Sequence, residues 1–166
     1  IDVLDPVPPV AVCFRDLVVS LTSDGWAYIC ADQLDDGSND NCTDVGLQIR
    51  REDEQNFSFY ENQVRQNNCV RVQCRDIGEL QVILRVWDDA DGDGLFGPQF
   101  DTNGDGRIDE TDLTGDNYSE CWSNILVEDK LPPVLLCPPD ITIGCLDDFG
   151  DLSITGEADA NGNCVN

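Results

Sequence analysis

Leu80-Gln81-Val82-Ile83-Leu84-Arg85-Val86-Trp87 has the clearest period in the chain. Alternation puts Val82, Leu84 and Val86 on one face and Ile83, Arg85 and Trp87 on the other, the pattern of a β-strand with one face toward a core. No long stretch repeats at the helical period. Short runs of β-branched and aromatic residues follow one another instead, separated by Gly, Pro, Asn and Asp. Strands are expected at 10–14, 17–22, 26–30, 45–51, 57–60, 69–74, 80–87 and 118–127. Ser23-Asp24-Gly25 is a tight turn that makes 17–22 and 26–30 a hairpin. About eight short strands in one unit predict an all-β fold, a β-sandwich.

Directly after Trp87 the sequence becomes acidic. Strands 80–87 and 118–127 read as antiparallel neighbours, so 88–117 is an insertion in the last hairpin. A loop of about thirty residues needs internal order or a function. Its second half, Asp101-Thr102-Asn103-Gly104-Asp105-Gly106-Arg107-Ile108-Asp109-Glu110-Thr111-Asp112, follows the EF-hand calcium loop position by position. Asp101, Asn103 and Asp105 supply side-chain oxygens at positions 1, 3 and 5, and Gly106 makes the sharp turn at position 6. Arg107 offers its carbonyl, Asp109 ligates directly or through water, and Asp112 stands at position 12 in place of the usual Glu. The shorter arm predicts weaker binding or a water in the shell. Asp89, Asp91, Asp93 and Gly94 repeat the 1-3-5-6 pattern as a second half-loop. Phe100 falls at its position 12, so another acid must close it. Carboxylates this dense repel one another unless a cation sits among them. Asp35, Asp36, Asn39 and Asp40 read as an Asx-type turn.

Charge narrows the function classes. The chain of 166 residues has 34 acidic and 9 basic residues, no His, and a net charge of −25. Nucleic-acid binding needs clustered Lys and Arg, which are missing. An anionic membrane surface would repel the chain, and no apolar run reaches the roughly 18 residues of a span. The nine cysteines contain no C-x-x-C pair and have no His beside them, which argues against zinc and for disulfides in an oxidising compartment.

The chain also repeats a phrase. Val3-Leu4-Asp5-Pro6-Val7-Pro8-Pro9-Val10-Ala11-Val12-Cys13 returns as Val127-Glu128-Asp129-Lys130-Leu131-Pro132-Pro133-Val134-Leu135-Leu136-Cys137, an offset of 137 − 13 = 124. Asn41-Cys42 returns as Asn163-Cys164, an offset of 164 − 42 = 122. This period suits tandem domains rather than a solenoid. Residues 1–124 are expected to be one complete repeat. Residues 125–166 are expected to start the next, truncated or completed by a neighbour through strand addition. On this view Ile1 and Asn166 are not natural ends, and any export signal or anchor lies elsewhere. Six cysteines (13, 30, 42, 69, 74 and 121) fall in the first unit. Cys137, Cys145 and Cys164 fall in the second, where a partner is missing. Six cysteines allow fifteen connectivities. The paired prolines make each junction extended and stiff, so an array would be a rod.

The phrase at 127–143 resembles the opening of hyalin-type (HYR) repeats. The whole unit is similar to tandem repeats of giant Bacteroidetes surface proteins, including SprB-like gliding adhesins. The matching stretches are Pro9–Cys13, Val19–Gly25, Asp36–Cys42, Leu84–Asp88 and Asn117–Cys121. The resemblance implies immunoglobulin-like sandwiches in long arrays, type IX export, and adhesive or structural work at the cell surface. It implies a Cys13–Cys121 bridge. Cys42 would then join Cys69 or Cys74, leaving Cys30 for the other. In such repeats a short turn joins the last two strands, and here the calcium loop replaces it.

The expected function is an extracellular structural or adhesive repeat, stabilised by Ca2+ and disulfides. Its partners are neighbouring repeats or identical subunits end to end, and surface glycans. The alternative is a calcium-dependent carbohydrate-binding module, with Trp26, Trp87, Trp122 and Tyr118 as stacking faces. Catalysis is not expected: there is no His and no G-x-S-x-G nucleophile motif.

Overall fold

The computed structural model describes residues 5–54, 69–98, 102–106, 115–148, 150–161 and 164. The chain is mostly β, with strands β1 (Asp16–Ser20), β2 (Trp26–Cys30), β3 (Gly46–Arg51), β4 (Cys69–Gln73), β5 (Gly78–Trp87), β6 (Tyr118–Glu128), β7 (Val134–Leu136) and β8 (Asp159–Asn161). Two one-turn helices, α1 (Ala31–Leu34) and α2 (Leu152–Thr155), and a 3-10 turn (Cys74–Asp76) interrupt them. The expected strand at 57–60 lies outside the described residues.

β5 is central to the larger sheet, whose order is β1-β6-β5-β3. It pairs antiparallel with β6 from Gly78↔Val127 to Trp87↔Tyr118, and antiparallel with β3 from Gly46↔Trp87 to Arg51↔Val82. β2 and β4 form a second, antiparallel sheet. The two sheets share one core. Val82, Leu84 and Val86 of β5 are each 0% exposed. They pack in one cluster with Ile125 and Val127 of β6, Ile49 of β3, Ile29 of β2, Val70 and Val72 of β4, and Leu34 of α1. Side-chain alternation on β5 thus matches the sequence. β7 and β8 form a separate antiparallel pair.

Two expected elements differ. The tight turn after β1 forms: Gly25 N–H donates to the Thr22 carbonyl at 2.9 Å, and Thr22 N–H to the Trp26 carbonyl at 3.1 Å. Its flanking strands nevertheless part company. β1 runs parallel to β6 at the edge of the larger sheet, whereas β2 pairs with β4. Splitting the hairpin lets Leu17 and Val19 of β1 and Ile29 of β2 meet the same core from opposite sides. The stretch 10–14 forms isolated bridges instead of a strand, Val10 with Asn39 and Cys13 with Asp35. Val12 N–H donates to the Ser38 hydroxyl at 2.9 Å, so a polar loop takes the groups a sheet would have used.

The outer face of β5 is also buried, which alternation alone would not require. Trp87 is 1% exposed, and its indole N–H donates to Gln48 Oε1 at 2.8 Å. The Arg85 guanidinium lies 4.1 Å from the Tyr118 ring centre and pairs with Glu120 at 2.7 Å. The insertion provides the cover. Phe96 is buried and lies where a side chain on Gly46 would stand. Gly46 faces Trp87 in register, so the missing Cβ makes room for the ring.

Arg51 ties the two sheets at the far end of β3. It pairs with Asp76 at 2.7 Å and with Asp53 at 2.9 Å, and donates to the Arg71 carbonyl of β4 at 3.2 Å.

Three disulfides staple the fold: Cys13–Cys121, Cys30–Cys69 and Cys74–Cys164. The first is the bridge the resemblance implies. Closing about a hundred residues, it contributes about 4–5 kcal/mol in the chain-entropy model. The expected pairing of Cys42 with Cys69 or Cys74 is corrected. Cys30 and Cys69 are direct register partners in the small sheet, which takes Cys69. Cys74 bonds to Cys164, so Cys164 does not lack a partner. Cys42, Cys137 and Cys145 are free and exposed. Three bridges fit an oxidising environment. Among the described residues no helix is long and apolar enough to cross a membrane.

Candidate metal centre

Asp88 and Asn117 close the base of the insertion, at the ends of the paired strands β5 and β6. Asp88 is fully buried. It accepts hydrogen bonds from Asn117 N–H at 2.8 Å and from the Asn117 side-chain amide at 3.1 Å. Its own N–H donates to the Asn117 carbonyl at 3.1 Å. The same amide reaches the Asp5 carbonyl at 2.8 Å, so the N-terminal segment joins the clasp.

Immediately beyond, Asp89, Asp91 and Asp93 converge, with one oxygen of each within 4.8 Å of the others. Local backbone chemistry shapes the triad. Asp93 N–H donates to Asp91 Oδ1 at 3.1 Å, Leu95 N–H to Asp93 Oδ1 at 2.8 Å, and Gly94 N–H to Asp89 Oδ2 at 3.0 Å. The first two are Asx turns, which Asp forms readily, and the third closes the half-loop back on its first residue. Gly94, at the sixth position of the half-loop, has φ 80°, a left-handed turn that a side chain would strain.

The donor set suits a hard cation. Calcium takes oxygen ligands at about 2.3–2.6 Å, so ligands across one ion are separated by at most roughly twice that distance. The triad falls within that limit. Asp89 Oδ1 is buried and has no hydrogen-bond partner; an unpaired buried carboxylate oxygen is costly unless a cation or water meets it. Asp116 lies beside the triad and accepts from Gly97 N–H at 2.7 Å and Ala90 N–H at 3.1 Å. Burial pushes its carboxyl up to about 6, with Asp91 and Asp93 adding to the rise against those two donors. Negative charge is therefore crowded here. When bound, calcium would neutralise this crowding and hold the loop in one shape.

Of the loop 101–112, Asn103 and Asp105 lie in described residues, with Asp105 N–H donating to Asn103 Oδ1 at 2.9 Å. Asp101, Arg107, Asp109 and Asp112 lie outside the described residues. The half-loop acids Asp89, Asp91 and Asp93 are the ones the structure brings together. Sequence reasoning missed Asp88, Asp116 and Asn117. Their signal was positional: an acid directly after one strand and Asp-Asn directly before its partner. The 35–41 loop behaves as expected, since Ser38 N–H donates to Asp35 Oδ1 at 2.9 Å and Cys42 N–H to Asp40 Oδ2 at 2.8 Å.

The aromatic residues divide. Trp87 is buried, bonded to Gln48 and with Gly97 of the insertion against its indole, so it presents no stacking face. Trp26 is covered by Arg71, 5.3 Å from the ring centre. Trp122 is 59% exposed. It lines an open groove with Cys13, Phe14, Asp16, Gln81 and Asn124.

No protein-family model, no curated protein and no solved structure matches this chain.

Proposed function

We propose that this chain is an extracellular structural or adhesive repeat, one immunoglobulin-like unit and the start of the next, in a calcium-stabilised, disulfide-stapled surface fibre or giant adhesin. The observation that carries this reading is the bond from Cys74 to Cys164. It joins the residues after the second Pro-Pro phrase covalently to the first unit. A rod under load needs its neighbours locked together, and a bridge adds to the stiffness of the proline junction. The sheets meet over one core and Cys13–Cys121 ties the first segment to the last strand, as an immunoglobulin-like sandwich would. The acidic insertion, clasped by Asp88 and Asn117 and centred on Asp89, Asp91 and Asp93, is the calcium element. The function belongs to the string of units rather than to a catalytic pocket.

Immunogold labelling of intact cells with antibody to this chain tests the reading. Label along surface fibres supports it, and label confined to the cell interior overturns it.

A second reading has one observation in its favour. Exposed Trp122 beside polar Asp16, Gln81 and Asn124 offers the ring and hydrogen-bonding groups that sugars use. On a glycan array, binding lost in Trp122→Ala and kept in Trp26→Ala would favour a carbohydrate-binding module.

A further inference from the structure

Val10 and Asn39 pair through two backbone hydrogen bonds, of 2.8 and 3.1 Å. In the second copy of the phrase, Val134 pairs with Asn161. The offsets are 134 − 10 = 124 and 161 − 39 = 122, the same offsets the sequence phrases show. The two unit openings therefore share a local fold as well as a phrase. Each bridged Asn is followed three residues later by a cysteine, Cys42 in one copy and Cys164 in the other. Cys164 is bonded to Cys74 of the unit before it. Cys42 is exposed and free.

We propose that Cys42 is the covalent attachment point for the unit that precedes this one, bonding to the cysteine that stands there where Cys74 stands here. The assignment rests on the tandem-array function and gives it a mechanism. Each unit presents one cysteine of the Cys42 kind near its start and one of the Cys74 kind. The joint between them is head-to-tail. Such a contact uses two different surfaces, so each unit in a covalent array can bond to the next along a chain of any length. Forming the bond removes two protons and two electrons from two thiols. A disulfide of the oxidising compartment, small or protein-borne, accepts them and leaves as two thiols. Before docking, the Asp5 carboxylate, helped by the negative charge of Asp40, holds the Cys42 thiol above its usual range. A protonated thiol is a poor nucleophile, which protects it from premature exchange.

The test is a tandem chain in which residues 1–128 are followed directly by residues 5–166, since Asp129 and Asp5 share a register. The first copy has Cys42→Ser, so a single Cys42 remains, at the inner junction. After secretion into an oxidising compartment, non-reducing peptide mapping is expected to recover both a Cys42–Cys74 and a Cys74–Cys164 peptide. Cys42→Ser in both copies should abolish the first peptide and leave one Cys74 open to alkylation. Cys42 left alkylatable while Cys74–Cys164 forms would overturn the attachment role and leave the array standing. Loss of Cys74–Cys164 as well would remove both, because no unit would then be bonded to its neighbour.

Discussion

Asp88 and Asn117 hold each other across the base of the acidic insertion, backbone to backbone and side chain to both. Asp88 is fully buried, so its carboxylate depends on these donors. Asp88→Ala removes the acceptor and leaves the part-buried Asn117 N–H without its partner, while the Asn117 amide keeps only the Asp5 carbonyl, at a cost of about 1–3 kcal/mol. Asp88→Asn keeps the volume and one acceptor and should cost less. Urea titration at fixed calcium gives the stability. Equal midpoints for wild type and Asp88→Ala would refute the clasp.

Phe96 bears on the same element from the other side. It packs against Gly46, which leaves it room, and so seats the next residue, Gly97, against the Trp87 indole. Phe96→Ala opens a cavity over Gly46, loosens the segment that carries Gly97, and should cost about 3–5 kcal/mol if the site cannot collapse. Trp122 is already exposed and Trp26 half-buried, so a red shift of tryptophan emission in this variant reports mainly on Trp87. Gly46→Ala should produce the same shift by displacing the ring. An unchanged spectrum in both variants would show that the insertion does not cover the sheet.

Calcium should act on the loop and spare the sheets. Cys13–Cys121 and Cys30–Cys69 hold the core without it. Chelation with EDTA is expected to make the loop between Asp88 and Asn117 cleavable by protease while the remaining fragments stay linked under non-reducing conditions. Asp91→Ala and Asp93→Ala each remove a ligand from the triad and should weaken calcium binding at least tenfold, about 1.4 kcal/mol. Isothermal titration calorimetry measures this directly. Wild-type affinity in both variants would rule out the triad as a site.

The inward stripe of β5 and its pairing with β6 were legible because a period of two and a long apolar run are local signals. The fate of β1 and β2 was not. A turn such as Ser23-Asp24-Gly25 reports only that the chain reverses. Which strand each arm then joins depends on partners a hundred residues away, such as Ile125 against Leu17. The burial of Trp87 was hidden for the same reason, since its cover comes from Gly97, across a Gly-rich loop. The acids of the half-loop were visible by spacing. The clasp residues were not, because Asp88 and Asn117 become neighbours only when β5 and β6 pair.

Acid should loosen the joint between the sheets at Arg51. The Arg51 guanidinium, bonded to Asp76 at 2.7 Å, holds that carboxyl below its ordinary value of 3.8 against the opposing effect of burial, with the Gln73 N–H assisting. A depressed folded-state value means that the unfolded chain binds the proton first. The contribution is therefore complete above about pH 4 and is lost as pH falls through the folded value. Asp76→Asn should flatten this acid-side slope and leave the neutral-side profile unchanged in shape. Arg51→Met leaves the buried Asp76 with only the exposed Arg75 at 3.9 Å and the Gln73 N–H, and should cost about 3 kcal/mol at neutral pH. Adding Asp76→Asn to Arg51→Met should recover part of that loss, because the poorly compensated buried charge is removed. Thermal unfolding of the four proteins between pH 2 and 7 measures both effects. Parallel acid limbs for wild type and Asp76→Asn would show that this ion pair does not set the acid stability of the fold.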